Sequence, residues 1–164
     1  MKIKAIFLMV SLLSPVALFA STVTCPLSSG INVHTSKHIL NICKQGSVIK
    51  TFKVALGYKG VGKKKAGDYK TPIGLYRLAY PRKSSQFKVF IPILYPTSSQ
   101  VAAGYTGRDV GIHGPTQSSK SRLLSWSNNL PSATRGCIAV GNNNYIEYVA
   151  NWVKSNPGTK VLII

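Results

Sequence analysis

A cysteine directly preceded by glycine, in the stretch Thr134-Arg135-Gly136-Cys137, is the strongest candidate for chemistry in this chain. The small residue before the cysteine allows a sharp backbone turn that presents the sulfur. The amide N–H groups of Arg135, Gly136 and Cys137 are then expected to converge near the sulfur, as the oxyanion hole of an acyl-transfer enzyme requires. Taken alone, a cysteine in this setting is more commonly a small buried thiol.

A single histidine lies upstream between glycines, in Gly111-Ile112-His113-Gly114-Pro115. A cysteine and a histidine that are distant in sequence but close in space are the minimum equipment of a thiol acyltransferase or hydrolase. Cys137 would be the nucleophile, and His113 the general base that later protonates the leaving amine. We expect the His113 imidazolium and the permanent charge of Arg135 to favour the Cys137 thiolate.

The chain has two other cysteines, Cys25 and Cys43, on either side of a short segment. In an oxidising compartment these two could form a disulfide, which would leave Cys137 as the odd thiol. An odd thiol in an exported protein is either an intermolecular link or a reactive group, and the glycine before Cys137 favours reactivity. His34 and His38 are four residues apart, but their β-like surroundings and the lack of a third ligand argue against a metal site.

The first twenty residues, Met1 to Ala20, are typical of a signal peptide. Lys2 and Lys4 precede an apolar run that Ser14-Pro15 interrupts. An uncleaved membrane anchor is the alternative, although the run is short for a membrane span. We therefore expect residues 21–164 to form one exported domain, in the periplasm or cell wall, with no stable membrane span after removal of the signal.

The chain is strongly basic, with 21 Lys and Arg against 3 Asp and Glu and a formal net charge of +18. Such a protein should be attracted to polyanions. Nucleic acid is the usual first candidate, but an export signal argues against it and favours anionic envelope polymers. A solvated basic face without a partner is the alternative.

Apolar periodicity predicts a mostly β single domain with one main helix after the cysteine. Asn142 to Ser155 is the predicted helix, with an apolar stripe at helical spacing and a cap-like start at Asn144 with Glu147. Pro92 should confine its strand to an edge or a bulge. The predicted strands are His38–Cys43, Val48–Leu56, Phe87–Leu94, Asp109–His113, Ile138–Val140 and Lys160–Ile164. Lys44–Ser47 is predicted as a hairpin turn, and Asp68–Leu78 as a turn that leads into a strand.

Two connections are predicted to be mobile. Gly57 to Gly67 is rich in glycine and lysine but lacks the ending and spacing of a phosphate-binding loop. Thr116 to Ser132 is long and polar, and its length favours a cover over the site. Ser21 to Ser36 is polar, rich in turn residues and without a clear period.

Together these residues resemble the L,D-transpeptidase catalytic domain, the YkuD-like family, over about Ile31 to Ile164. Ile112-His113-Gly114 followed by Thr134–Ile138 is similar to the family's His-Gly and Ser/Thr-x-Gly-Cys signature. Thr71–Tyr76 resembles the family's Thr-Pro-x-Gly-x-aromatic turn. Two positions depart from the pattern: Ala139 stands where the family often has Arg, and Arg135 where it often has His. The resemblance implies a β-sandwich or barrel-like fold, and it assigns the backbone carbonyl of Gly114 to orienting His113.

The resemblance also implies cell-wall chemistry without a metal or organic cofactor. The substrate would be a peptidoglycan stem tetrapeptide, cleaved between diaminopimelate and the terminal D-Ala through a Cys137 thioester. The acyl group would pass to an amine, as a 3→3 cross-link or a protein attachment. Thr134, Arg135 and Gly136 would hold the oxyanion or substrate.

Two other functions stay open. An L,D-carboxypeptidase or amidase would transfer the same acyl group to water. A basic wall-binding module would keep the fold without activity, although the presence of both His113 and Cys137 argues against it.

Overall fold

The computed structural model describes residues 25–117 and 132–164. The predicted signal peptide, residues 1–20, lies outside the described residues. So does nearly all of the predicted cover, since only its two ends, Thr116-Gln117 and Ser132, are described.

A curled, open β-sheet forms a half-barrel around the core, with one main helix packed on it. The elements are β1 (Gly30–His34), β2 (Ile39–Lys44), β3 (Ser47–Gly57), β4 (Gly74–Arg77), β5 (Arg82–Ser84), β6 (Lys88–Pro92), α1 (Ser98–Ala102), β7 (Gly111–His113), β8 (Ser132–Thr134), β9 (Ile138–Val140), α2 (Asn143–Ser155) and β10 (Lys160–Ile163). The strand order in the sheet is β4-β10-β1-β2-β3-β9-β7-β6-β5, and β8 pairs with β3 off this path. The pairs β1–β10, β3–β8 and β7–β9 are parallel, and the others are antiparallel.

The predicted hairpin is present between β2 and β3. Lys44 pairs with Ser47 across a two-residue turn, Gln45-Gly46. Both turn residues have positive φ, 51° and 78°, which a two-residue hairpin turn with strand-compatible twist requires. Glycine adopts this conformation without a steric penalty, so the local sequence is sufficient to set the register of the two strands.

Strand β1 was not expected, because Ser21 to Ser36 was interpreted as irregular. Residues 30–33 of this strand are buried, so the segment has no polar face that would produce an alternating pattern. It lies inside the sheet, between parallel β10 and antiparallel β2. A strand buried on both faces has no period of two, and only its neighbours identify it.

Helix α2 was predicted with nearly correct bounds but the wrong cap. Asn142 is the N-cap, and its side chain accepts a hydrogen bond from the Tyr145 amide at 2.9 Å. Glu147, which was expected to help cap the helix, instead pairs with Lys88 on β6. The buried face of the helix consists of Ile146, Val149, Ala150 and Val153.

The Gly57–Gly67 loop has one buried contact with the fold, because the Lys63 side chain is buried and its ammonium lies 2.8 Å from the Asp68 carboxylate.

One further expectation was wrong. Pro92 lies in neither an edge strand nor a bulge. It is the last residue of β6, an interior strand, where the missing amide interrupts no later ladder bond.

Within the described residues, no helix is both long and apolar enough to cross a membrane.

Candidate active site

Cys137 lies at the end of a tight turn that leads from β8 into β9. The turn is closed by the hydroxyl of Thr134, which accepts a hydrogen bond from the Gly136 amide at 3.1 Å and donates one to the Cys137 carbonyl at 2.7 Å. The hydroxyl of Thr71 approaches the same carbonyl at 3.5 Å and accepts the Gly57 amide at 2.8 Å. The Thr-Pro turn singled out from the sequence therefore braces the cysteine turn from a distant part of the chain.

Gly136 is required in this turn for two reasons. Its φ is +120°, a conformation that side chains disfavour, and a Cβ atom would lie 2.7 Å from the Lys70 carbonyl oxygen. Its amide bonds to Thr134, so Gly136 does not supply the expected oxyanion donor in this state. The amides of Arg135 and Cys137 remain as candidates for that role.

His113 is the last residue of β7, directly beside the strand that follows Cys137. Strands β7 and β9 are parallel, with Ile112 opposite Ile138 and His113 opposite Ala139. Cys137 is two positions before Ala139, so sheet pairing brings the histidine and the cysteine, which are 24 positions apart in the sequence, to the same face of the sheet.

Two contacts hold the His113 imidazole. Its Nδ1 lies 2.6 Å from the Gly114 carbonyl oxygen, and since a carbonyl only accepts, Nδ1 carries the proton and donates. This leaves Nε2 as the acceptor nitrogen. The ring of Phe87 stacks on the imidazole with a centroid separation of 3.8 Å and an interplanar angle of 21°. Gly114 has no room for a side chain, because a Cβ atom would lie 2.8 Å from Ile146.

The environment of His113 favours its neutral form. The side chain is 5% exposed, and this burial lowers its pKa to about 4, although the hydrogen bond to Gly114 acts in the opposite direction. At neutral pH the imidazole is therefore a free base that can accept a proton.

Burial also acts against the charged form of Cys137. It raises the pKa of the thiol, and the Asp109 carboxylate acts in the same direction, while the Gly111 backbone and the Lys63 ammonium act in the opposite direction. The sulfur lies 3.6 Å from the carbonyl oxygen of Asp109, a contact in which the thiol proton is the donor. Burial thus favours the neutral forms of the thiol and the imidazole, which line the same cleft. This effect opposes the thiolate expected from imidazolium and Arg135, and Lys63 is a cation that lowers the pKa of the sulfur.

An open cleft of about 1000 Å³ contains the site. His113, Gly114, Thr134, Arg135 and Cys137 all line it. Ala139, the departure from the family pattern, lines it as well. The remaining walls include the turn before β2, strand β3, strand β5 and the segment that joins β5 to β6. They carry the basic residues Lys37, Lys53, Arg82 and Lys83.

The structure joins Cys25 and Cys43 in a disulfide, which leaves Cys137 as a free thiol. In residues 25–117 and 132–164 there is no group of three or more side chains suited to binding a metal ion. His34 and His38 therefore have no third ligand in this part of the chain.

Sequence reasoning missed three parts of the site: Phe87 on the imidazole, the Asp109 carbonyl on the sulfur, and the buried Lys63. Asp109 has a φ of +61°, which aims its carbonyl away from a regular strand. Aspartate tolerates this left-handed conformation better than most residues, so Asp109 just before strand β7 was a weak signal of an irregular backbone there. Phe87 and Lys63 gave no local signal, because their roles depend on residues more than 20 positions away.

Comparisons with known proteins identify the family of the domain. The family model described as YkuD, the L,D-transpeptidase catalytic domain, matches residues 28–163. No curated protein matched the chain.

Three of the solved structures that share the fold illustrate the likeness. The helical cell shape determining protein Pgp2 from Campylobacter jejuni is 27% identical over 81% of this chain and 46% of its own, with a TM-score of 0.64. Bd1075 from Bdellovibrio bacteriovorus is 22% identical over 84% and 48%, with a TM-score of 0.59. An Enterococcus faecium L,D-transpeptidase mutant is 15% identical over 84% and 50%, with a TM-score of 0.55. The chain spans about half the length of these structures.

Proposed function

The chain belongs to the YkuD family of L,D-transpeptidase catalytic domains, and on that basis we propose that it is a cysteine acyltransferase of peptidoglycan stem peptides. The substrate is a stem tetrapeptide. The bond that breaks joins the L centre of diaminopimelate to the terminal D-Ala, and the acyl group passes through Cys137 to an amine.

One observation carries this proposal. A free thiol on a tight turn and a histidine with its Nδ1 tied to a backbone carbonyl face one cleft from adjacent strands. A nucleophile, a base and a group that orients the base are the three parts of a thiol acyl-transfer site. A module that only binds the wall has no use for this constellation.

The reaction has two balanced steps. His113 Nε2 takes the Cys137 proton as the sulfur attacks the carbonyl carbon; the C–N bond then breaks, and the proton leaves on the D-Ala amine. The result is a thioester and neutral His113. An acceptor amine next attacks the thioester carbon, and its proton returns to the sulfur through His113. Because burial favours the uncharged form of both groups, proton transfer is expected to accompany attack rather than precede it.

The amides of Arg135 and Cys137 are our candidates for stabilising the oxyanion. Such a donor is typically worth about 3 kcal/mol in the transition state. Arg135 is exposed and lines the cleft, so its guanidinium is our candidate for contact with a substrate carboxylate.

The nature of the acceptor separates this proposal from its rival. If water resolves the thioester, the protein is an L,D-carboxypeptidase that shortens stem peptides. The likeness to Pgp2, a protein that determines helical cell shape, leads us to include wall remodelling that affects shape among the expected consequences of either activity.

Mass spectrometry of purified protein with disaccharide-tetrapeptide tests the proposal, with Cys137→Ala as the control. Cross-linked dimers support transpeptidation, whereas tripeptide alone identifies the hydrolase. A carbapenem that acylates the wild type but not the variant supports the thiol mechanism. The absence of both product and acyl adduct would leave the wall-binding module as the better function.

The location of the protein and its attraction to anionic polymers belong to the same proposal. Peptidoglycan lies outside the cytoplasmic membrane, so the protein must be exported to the periplasm or cell wall to reach its substrate. The net charge of +18 would also draw the protein to anionic envelope polymers. Fractionation of cells that produce the full chain, and its salt-dependent retention on isolated walls, test these two points.

A further inference from the structure

We propose that Phe87 is a positioning residue for acyl transfer: its ring holds the His113 imidazole so that the free Nε2 edge stays open to the cleft. The inference rests on the proposed function, because it assigns a role within the same site.

The stacking geometry is the first argument. Three rings lie nearly parallel: Phe87 is 3.8 Å from His113, Phe90 is 6.4 Å from His113, and Phe87 is 6.2 Å from Phe90. The interplanar angles are 21°, 18° and 23°, so one aromatic face covers the imidazole. Rotation of the imidazole out of plane would drive its edge into the Phe87 ring.

The hydrogen bond to Gly114 is not sufficient by itself. It fixes Nδ1 at 2.6 Å but permits rocking about that contact. The stacked ring removes this freedom, because it restrains the plane while the hydrogen bond restrains the edge. A base held in both ways has one orientation for its remaining nitrogen, which lowers the entropic cost of reaching the reactive geometry.

Phe87 is itself held by the turn between β5 and β6. The Ser84 hydroxyl accepts the amides of Gln86 and Phe87 at 3.3 and 3.2 Å. The Gln86 carbonyl accepts the Gln117 amide at 2.8 Å, and the Lys88 ammonium pairs with Glu147 on α2. The ring is therefore presented by a braced turn, joined to the segment that follows His113.

The same stack desolvates the base. His113 is 5% exposed, and burial holds its pKa at about 4. Arg82 on β5 is the charged group nearest the aromatic stack, with its guanidinium 5.2 Å from the Phe90 ring centroid. The other charged or titratable groups among the described residues that line the same cleft are Lys37, His38, Lys53, Lys83, Asp109, Arg135 and Cys137. Removal of the Phe87 ring admits water without changing any of these charges.

The test compares Phe87→Leu, Phe87→Tyr and, as a control, Tyr80→Leu, which changes an aromatic side chain that is 72% exposed. Turnover of disaccharide-tetrapeptide gives kcat and KM, and NMR of the His113 ring protons gives its titration. Circular dichroism melts establish that each variant is folded. We expect Phe87→Leu to lower kcat about 10- to 100-fold with little change in KM. Its His113 pKa should rise towards 6.5, and the ring protons should lose their upfield shift.

Phe87→Tyr should keep most of the activity, because its ring still stacks, and Tyr80→Leu should match the wild type. A wild-type kcat and an unchanged His113 titration in Phe87→Leu would overturn the inference. So would a rise in KM at constant kcat, which would make Phe87 a substrate contact. If the wild-type protein has no turnover, the proposed function fails, and the catalytic role of Phe87 fails with it. If the wild type is active and the His113 titration in Phe87→Leu equals that of the wild type, the stacking restraint alone is refuted.

Discussion

The hydroxyl of Thr134 donates a hydrogen bond to the carbonyl of Cys137 at 2.7 Å, three residues along the chain. The same hydroxyl accepts the Gly136 amide at 3.1 Å. One buried side chain thus satisfies both polar groups of the turn that presents the nucleophile. The shape of this turn depends on Thr134 as much as on the glycine.

Thr134→Val removes this hydroxyl and keeps the shape of the side chain. The Gly136 amide and the Cys137 carbonyl lose their hydrogen bonds to the Thr134 hydroxyl. We therefore expect the free energy of unfolding to fall by about 1–3 kcal/mol, and kcat to fall as well. Thr134→Ser retains the hydroxyl and should restore most of both. Urea unfolding and turnover check this, and a valine variant as active and stable as wild type would contradict it.

Cys137→Ala should abolish turnover and leave the fold intact. The change removes the nucleophile and little volume, while the disulfide between Cys25 and Cys43 remains. The measurements are product formation and the thermal melt. Turnover near the wild-type level in purified protein would end the thiol mechanism.

The alkylation rate of Cys137 should depend on pH as it does for a thiol that is harder to ionise than free cysteine. Burial raises the pKa of Cys137, so less thiolate is present at each pH and the midpoint moves upward. Arg135→Ala should move the midpoint little, because burial is the largest cause of the raised pKa. A cysteine-containing peptide is the reference, and a Cys137 midpoint below that of the peptide would support a resting ion pair instead.

Asp68→Asn should destabilise the protein strongly. Lys63 is 6% exposed, and its ammonium bonds only to Asp68 and the Lys65 carbonyl among the described residues, so the change leaves a buried cation without its counter-charge. Loss of one partner of a buried pair costs about 3–5 kcal/mol. The matched control is Glu147→Gln, which breaks the exposed pair with Lys88 and should cost at most about 1 kcal/mol. Equal effects in urea unfolding would show that the Lys63 pair is effectively solvated.

Stability should fall between about pH 6.5 and pH 4 because of His113. Its folded pKa is lowered to about 4 from an ordinary 6.5, so the unfolded state binds the proton first as the pH drops. The neutral imidazole contributes on the order of 3 kcal/mol to the free energy of unfolding. This contribution is complete above pH 6.5 and is lost as the pH falls through 4. His113→Gln should flatten this part of the curve. An unchanged slope in that variant would place the titration elsewhere.

The sequence by itself determined the elements that depend on neighbouring residues. The Gln45-Gly46 turn, the apolar stripe of α2 and the tight turn before Cys137 each follow from local conformational preference. The sequence also identified Cys137 and His113 as the candidate pair, since each residue type is rare in the chain and each lies next to glycine. The helix cap was misplaced by two residues because Asn142 and Asn144 offer the same side chain within a single helical turn.

The tertiary structure decided what depends on distant contacts. Strand β1 has no alternating pattern, so only its position between β2 and β10 makes it a strand. Lys63 is one of many lysines in the sequence, and only the fold buries it beside Asp68. Packing likewise acts on the ionisation of the site: Phe87 covers His113, and burial is the largest cause of the pKa shifts of His113 and Cys137. Burial is a property of the assembled sheet, so no local pattern at positions 113 and 137 could have predicted that packing favours the neutral form of both groups.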